Sequence, residues 1–225
     1  MVSMSTSFHR DPHIFIAPEL AGIVQKSVDF FSSKKVHEFP PNYRSMNGTG
    51  VYGLYYIGDY EPYAPIAEKN RRNYSQPIYI GQAARPGTRT GITTPETGLG
   101  GGSGSVLARL HHHAGSIRAA RNLRPEDFSC RFIFLIGSEH DIIGAVETGL
   151  IRAFRPLWNS RVVEGFGNHD PGNGRYNQQP SPWDTLHPGR SWAEKLTGTP
   201  KDPQTIIASI REYLVHPRLT DLIVS

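Results

Sequence analysis

The sequence lacks the features of a secreted or membrane-inserted protein. Cys130 is the only cysteine among 225 residues, which excludes an internal disulfide and the small disulfide-stapled folds. No apolar run approaches the roughly 18 residues that cross a bilayer. The first residues also lack the apolar stretch of a secretory signal. We therefore expect a cytoplasmic protein in which Cys130, set among apolar neighbours, is a buried and unreactive thiol.

Lysine is scarce, and neither sign of charge dominates strongly. The formal net charge of +4 does not by itself establish nucleic-acid binding. Eighteen of the 24 cationic residues are arginine, whose planar guanidinium suits bidentate contacts to phosphate and guanine. Five of them are clustered in the middle of the chain: Arg109, Arg118, Arg121, Arg124 and Arg131. The cluster is compatible with a nucleic-acid interface and equally with a solvated helix face.

A nucleotide-binding loop is also missing. Residues 85–104 contain seven glycines, but they include neither Gly-Lys-Ser/Thr nor a complete G-x-G-x-x-G motif. The stretch therefore predicts a flexible loop and not a phosphate cradle.

Apolar spacing predicts one α+β core in the order strand, strand, helix, strand, helix. The predicted elements are residues 50–58, 77–83, 105–120, 131–136 and 138–154. Ser105 and Ser138 stand where they could cap the two helices. We expect a three-stranded, mostly antiparallel sheet flanked by helices. The residues between the first two strands, 59–76, predict a long irregular connection.

Segments on both sides complete the predicted organisation. The chain divides into an N-terminal arm, a core with one insertion, and a C-terminal extension: residues 1–47, 48–160 (insertion 59–76) and 161–225. Apolar spacing in the arm predicts a helix over 19–31, packed on the core or on another subunit. In the extension, residues 165–190 are dense in Gly, Pro, Asn and Asp and predict loops. A final helix is expected over 205–215.

Five elements in the right order resemble the GIY-YIG nuclease family. The matching elements are Gly50-Val51-Tyr52, Tyr79-Ile80-Gly81, the pair Arg109 and His113 on one predicted helix, Glu147 on another, and Asn159 just after it. Val51 stands where the family signature has Ile. The resemblance spans residues 48–160 and implies the family's α+β fold.

Two departures from the family pattern affect the interpretation. Tyr52 and Tyr79 are 27 residues apart, farther than the two triplets usually lie. A second YIG triplet, Tyr56-Ile57-Gly58, lies within the first strand. We prefer Tyr79 because its strand leads toward the Arg109 helix, whereas Tyr56 would leave no GIY triplet upstream. The insertion, with the C-terminal HDPGNGR and LHPGR segments, resembles the restriction subgroup that cuts GC-rich palindromes such as CCGCGG.

The resemblance implies hydrolysis of phosphodiester bonds with Mg²⁺, for which Mn²⁺ could substitute. It assigns Glu147 to the metal and Arg109 to the scissile phosphate. One of the two tyrosines accepts the proton of the attacking water, and we favour Tyr52 over Tyr79. A free phenol, with a pKa near 10, is a poor base, so His113 would act as a relay. The structural alternatives are that Glu147 and Arg109 are ordinary surface residues, and that the two tyrosines only pack in the sheet.

The remaining polar residues of the pattern are more ambiguous. Asn159 could anchor the active-site loop or a metal-bound water, or simply end a helix. The run His111-His112-His113 cannot converge on one ion, because adjacent helical residues point about 100° apart. The helical wheel places His113 beside Arg109 and turns His112 toward solvent or DNA.

The C-terminal extension is interpreted as the DNA-recognition segment, since arginine is the commonest reader of guanine. Its candidate DNA-contacting residues are His169, Asn173, Arg175, His187 and Arg190. Each has the alternative of a phosphate contact or a structural role.

The resemblance implies a type II restriction endonuclease that cuts double-stranded DNA and is functionally paired with a cognate DNA methyltransferase. A palindromic site is most simply cut by a homodimer, and a tetramer is also compatible. Two alternatives stay open: a homing or repair-type nuclease in a larger assembly, and a DNA-binding module without catalysis. Appended DNA-binding repeats would favour the first, and loss of Glu147 or Tyr52 the second.

Overall fold

Four antiparallel strands form the central sheet of the computed structural model, which describes residues 10–43, 48–84 and 104–215. The strands are β1 (His37–Glu38), β2 (Gly50–Tyr56), β3 (Tyr79–Ala83) and β4 (Phe128–Phe134). Their order across the sheet is β1-β4-β2-β3. The α+β class and the antiparallel pairing confirm the prediction. The arm adds the fourth strand, whose two residues are too few to show a period.

Strand β2 lies inside the sheet, pairs along both edges, and is buried throughout. A β-carbon on Gly50 would overlap the carbonyl oxygen of Ile133 on β4. The glycine is therefore required by the close approach of the two strands. Cys130 on β4 is buried, as expected, and burial raises the pKa of its thiol to about 12.

Helices α1 (Pro18–Ser33) and α4 (Ile143–Phe154) cover one face of the sheet. Residues Gly137–Ile142 form a 3₁₀ helix before α4. Ser138 therefore does not cap α4 as predicted; its hydroxyl donates to the carboxylate of Glu139 at 3.2 Å. Helix α4 ends where Arg155 adopts a left-handed conformation, with φ of 47°.

Helices α2 (Ala64–Asn73) and α3 (Val106–Ala119) lie on the other face. Ser105 caps α3 as predicted, because its Oγ accepts a hydrogen bond from the Ala108 N–H at 3.2 Å. Helix α2 corrects the expectation of an irregular insertion over 59–76. Its sequence, APIAEKNRRN, holds too few apolar residues to show a helical period. The predicted glycine-rich loop lies, except for Gly104, outside the described residues.

The C-terminal extension packs on the same face as α3. It contains the short helix α5 (Pro182–Leu186), the predicted final helix α6 (Pro203–Val215), and several 3₁₀ turns. Trp183 and Ile210 belong to the same buried cluster as Tyr52 and Leu110. The extension thus shares the hydrophobic core of the sheet, and its loops lie beside α3. Within the described ranges, no helix is both long and apolar enough to span a membrane.

Candidate active site

The hydroxyl of Tyr52 and the imidazole of His113 form the buried centre of the candidate site. Tyr52 lies in β2 and His113 on α3, and their side chains are 1% and 2% exposed. The Tyr52 Oη and His113 Nε2 atoms are 2.7 Å apart, within hydrogen-bonding distance. Two residues separated by 61 positions are joined because α3 packs directly on the sheet.

Burial determines the protonation of this pair. Burial, together with the neighbouring His112 and Arg109, lowers the pKa of His113 to about 3. Burial also raises the pKa of Tyr52 well above its ordinary value. At neutral pH the imidazole is therefore neutral and the phenol protonated, and the two groups share one hydrogen bond. With these pKa values the Tyr52–His113 pair accepts a proton from water poorly. It would accept one more readily if negative charge were brought close to the imidazole.

A glycine makes room for the Tyr52 ring. Gly81 of β3 pairs with Tyr52 of β2 in the sheet register. A β-carbon on Gly81 would lie 2.6 Å from the Tyr52 hydroxyl oxygen and 2.7 Å from the adjacent ring carbon. The Tyr52 side chain thus lies across its neighbour's backbone, which only glycine allows. The glycine of the second triplet and the tyrosine of the first form one packing unit.

Tyr79 joins this cluster, whereas Tyr56 does not. The ring centroid of Tyr79 is 6.4 Å from that of Tyr52 and 5.2 Å from that of His113. The hydroxyl of Tyr56 instead accepts a hydrogen bond from the Tyr60 N–H at 2.7 Å, near the far end of β2. The structure therefore brings together the two tyrosines that the resemblance selected.

Glu147 and Arg109 supply opposite charges beside the tyrosines. Burial raises the pKa of Glu147 to about 7, and the positive charge of Arg109 opposes that rise. Both charges also act on the phenols of Tyr52 and Tyr79. Glu147 can reach this cluster from α4 because β3 is the edge strand, beside which α4 packs.

The donor set of the site suits a hard cation. In the described ranges no group of three His, Cys, Asp or Glu side chains could hold a metal ion without help. Glu147 is the carboxylate that the structure places beside the tyrosines. One carboxylate, completed by water and phosphate oxygens, is a donor set that Mg²⁺ accepts in proteins.

The side-chain amide of Asn159 forms hydrogen bonds with the backbone of β3. Its Oδ1 accepts from the Ile80 N–H at 2.7 Å, and its Nδ2 donates to the Ile80 carbonyl at 2.9 Å. The side-chain amide pairs with this edge strand as a neighbouring strand would. Asn159 therefore fixes the strand that carries Tyr79 and Gly81.

The three adjacent histidines have different surroundings. His111 is exposed, and His113 is buried against Tyr52. His112 is exposed, but it does not point away from the site: its ring centroid is 4.7 Å from that of His169. His169 in turn lies 3.4 Å from Arg109, measured between His169 Nε2 and Arg109 Nη1.

Two of the five residues expected to contact DNA are buried. His187 is fully buried, with its nitrogens 2.7 Å from the Tyr63 hydroxyl and 2.9 Å from Asn122 Oδ1. Burial lowers the pKa of His187 to about 3. Arg190 is 4% exposed and forms an ion pair with Asp184 at 2.6 Å. His187 joins the extension to residues of the core and Arg190 bonds within the extension, which corrects the expectation that they face DNA.

The other expected DNA contacts are on the surface. His169, Asn173 and Arg175 are exposed. Arg175 helps to line a polar cavity of about 370 Å³ together with His169, Asn168, Gln178 and Gln179. Side chains of this type can donate and accept hydrogen bonds at base edges.

Phe166 also contacts the site, although no sequence pattern predicted it. Its ring stacks on His113 with a centroid distance of 4.6 Å and contacts Tyr79 edge-on at 4.9 Å. A β-carbon on Gly167 would lie 3.1 Å from the Tyr79 hydroxyl, so the glycine lets this loop approach closely. A single aromatic residue in a glycine-rich loop has no periodic context, and only its two flanking glycines hint at close packing.

A family model described as the Eco29kI GIY-YIG domain matches residues 44–214, which are 171 of the 225 residues. The match extends beyond the core into the C-terminal extension. A search of curated proteins found no match.

Proposed function

The chain belongs to the Eco29kI GIY-YIG domain family, a group of restriction-type nucleases, and from this premise we propose that it is a Mg²⁺-dependent type II restriction endonuclease. Its proposed substrate is double-stranded palindromic DNA, with a GC-rich site. The observation that carries the proposal is the cluster of Tyr52, Tyr79 and His113 between Arg109 and Glu147. Hydrolysis of a phosphodiester needs a proton acceptor, a cation at the phosphate and a carboxylate for metal. In this proposal Arg109 is the cation, Glu147 is the carboxylate, and the Tyr52–His113 pair takes up the proton once DNA is bound.

Tyr52 and His113 form the proposed proton path. In the proposed step the Tyr52 hydroxyl takes the proton of the attacking water as its own proton passes to His113 Nε2, which lies 2.7 Å away. The low pKa of His113 opposes this transfer in the free protein. A bound phosphate would bring negative charge beside the imidazole and raise that pKa. Binding of DNA would thus itself prepare the acceptor.

Glu147 is the proposed ligand for Mg²⁺. Its raised pKa shows that the site disfavours an isolated negative charge, and a divalent cation would compensate for that charge. The bound ion would polarise the phosphate and stabilise the negative charge that develops during hydrolysis. Mn²⁺, which accepts the same oxygen donors, is the expected substitute.

Arg109 is the proposed phosphate contact. It lies on α3 one turn before His113, so both side chains lie on the same side of the helix. Its guanidinium remains partly exposed, which leaves donors available to a phosphate oxygen. The charge on Arg109 would stabilise the anionic transition state.

The exposed part of the extension is the proposed recognition surface. Asn173 and Arg175, with Gln178 and Gln179 beside the polar cavity, supply the donors and acceptors that read base edges. We propose that a homodimer places one such surface and one active site on each half of the palindrome. The arm supports this assembly because its apolar residues Phe15 and Ile16 are 90% and 75% exposed, and a second subunit could cover them. A cytoplasmic location and a cognate methyltransferase complete the proposal.

The test is cleavage of plasmids of known sequence. Purified protein is incubated with several plasmids in Mg²⁺, in Mn²⁺ and in EDTA, and the ends of the products are sequenced. We expect discrete fragments only with the metals, and a single palindromic sequence at all cut sites. Glu147→Gln protein serves as the control for contaminating nucleases. Nonspecific degradation would favour a repair-type nuclease, and metal-dependent binding without cutting would favour a non-catalytic module.

A further inference from the structure

The surroundings of Arg109 contain a residue that the proposed chemistry does not use. Arg109 Nη1 lies 3.4 Å from His169 Nε2. Arginine can only donate hydrogen bonds, so in this contact the imidazole nitrogen is the acceptor. In the part of the chain that the structure describes, no carboxylate forms an ion pair with Arg109. His169 is therefore the polar group that restrains the Nη1 atom of the Arg109 guanidinium.

The backbone before His169 is fixed from inside the extension. The buried guanidinium of Arg190 donates to the carbonyls of Gly165, Phe166 and Asn168 at 2.9, 3.0 and 3.3 Å. The same group is neutralised by Asp184, also buried. The loop from Gly165 to His169 is thus tied to a rigid anchor. The anchored loop can therefore restrict the position of the His169 side chain, although that side chain is exposed.

The imidazole of His169 is also supported from α3. The ring of His112 lies 4.7 Å away between centroids, at an angle of 43°. One side of His169 therefore packs on the same helix that carries Arg109. Its ring is held between the anchored loop and α3, with Nε2 turned toward the guanidinium.

We propose that His169 is a positioning residue that orients Arg109 toward the scissile phosphate, which couples the C-terminal extension to catalysis. This inference rests on the proposed nuclease function. A free arginine side chain samples many rotamers, and restricting one arm leaves the remaining donors directed at a phosphate before DNA binds. The role differs from base recognition, because it acts through Arg109 and not through DNA.

The test is a double-mutant cycle on the rate of single-turnover cleavage at saturating DNA and Mg²⁺. We expect His169→Leu to slow cleavage by about 10- to 100-fold, since small misplacements of a catalytic group have effects of this size, while the Kd for DNA changes little. His169→Gln, whose amide oxygen can accept from Arg109, should recover most of the rate. In an Arg109→Ala background, His169→Leu should cause no further loss.

Matched controls separate the possible outcomes. His111→Leu alters an exposed histidine two positions after Arg109, and it should leave the cleavage rate unchanged. A His169→Leu loss that is equally large with and without Arg109 would overturn the positioning role, as would a loss explained by weaker DNA binding or an unchanged rate. Absence of cleavage by the wild-type protein would instead overturn the proposed function, and this inference with it.

Discussion

Arg190 and Asp184 form a buried ion pair, 2.6 Å between Nη2 and Oδ1, that fixes the loop beside the candidate active site. The guanidinium also lies between two indole rings, with its central carbon 4.5 Å from the ring centre of Trp183 and 4.6 Å from that of Trp192. A charge removed from water in this way is stable only while its partner remains. The pair therefore makes the extension and the active site one structural unit.

This relationship predicts that substituting two arginines of the extension affects different properties, stability for Arg190 and DNA binding for Arg175. Arg190→Leu leaves Asp184 buried and unpaired, and it should lower the free energy of unfolding by about 3–5 kcal/mol. Arg175→Ala, at an exposed site, should change stability little but weaken DNA binding. Urea denaturation and equilibrium binding to a cleavable duplex measure the two effects. A stable Arg190→Leu protein with weakened binding would assign Arg190 to DNA after all.

Gly81→Ala should inactivate the enzyme without removing a chemical group. The added β-carbon would lie 2.6 Å from the Tyr52 hydroxyl oxygen, so the phenol must move away from His113. We expect a loss of cleavage of at least about 100-fold, on the scale of a misplaced catalytic group, with a folded protein by circular dichroism. Gly115→Ala, where a β-carbon meets nothing within 4 Å, is the control. Full activity in Gly81→Ala would show that the Tyr52 hydroxyl is not needed where the structure places it.

Asn159→Leu should act through strand β3. The substitution removes both hydrogen bonds to Ile80 and leaves two backbone groups to find other partners, at a cost of about 1–3 kcal/mol for each that stays buried. We expect lower thermal stability and faster hydrogen exchange of the Ile80 amide, with activity reduced in proportion to the loss of folded protein. A fully stable but inactive variant would favour a direct role at a metal-bound water.

Glu147→Gln should separate cleavage from binding. The substitution keeps the size of the side chain but removes the negative charge proposed to hold Mg²⁺. Cleavage should be abolished, whereas the Kd for duplex DNA in Ca²⁺ or EDTA should change little. Glu139→Gln, on the exposed 3₁₀ turn before α4, is the control and should cleave normally. Binding that weakens as much as cleavage would place Glu147 in DNA contact or in folding.

The buried histidines predict a stability that falls in mild acid. Burial holds the pKa of His187 near 3, below its ordinary value of 6.5, so the unfolded chain binds a proton that the folded chain does not. The stabilising contribution is complete above pH 6.5 and is lost as the pH falls toward 3. Between about pH 6.5 and about pH 5.5, each such histidine should lower stability by up to about 1.4 kcal/mol per pH unit. The raised pKa of Glu147 contributes a slope of opposite sign over the same range, so the contribution of His187 is read from the difference between wild-type and His187→Gln protein.

Urea denaturation across that pH range measures the slope. His187→Gln should reduce the slope even if it also lowers stability overall, because it removes one group that titrates on unfolding. His111→Gln alters an exposed histidine and should leave the slope unchanged. An identical slope in wild-type and His187→Gln protein would mean that His187 binds a proton as readily in the folded chain as in the unfolded chain.

Much of the catalytic core could be predicted because its signals are local. The triplets around Tyr52 and Tyr79, and the four-residue spacing of Arg109 and His113, place side chains on common faces by the geometry of strands and helices alone. The N-cap at Ser105 was predicted for the same reason, since capping depends on a few adjacent residues.

Other features had no local signal. Helix α2 carries too few apolar residues for a period, and its Ile66 and Ala67 are buried only because the sheet lies beneath them. Arg190 and His187 occur in a segment of loop composition, where a charged residue is normally exposed. Their burial depends on partners distant in sequence, such as Tyr63, 124 residues before His187.

The sequence by itself therefore determined the α+β core, the family resemblance and the set of residues on which catalysis is proposed to depend, because periodicity and motif spacing are properties of neighbouring residues. Only the tertiary structure decided that Tyr52 forms a hydrogen bond with His113, that Asn159 bonds to the backbone of β3, and that the loop of the extension reaches Arg109. These relationships arise where separate elements pack together. The same packing sets their burial and their pKa values, which no local pattern encodes.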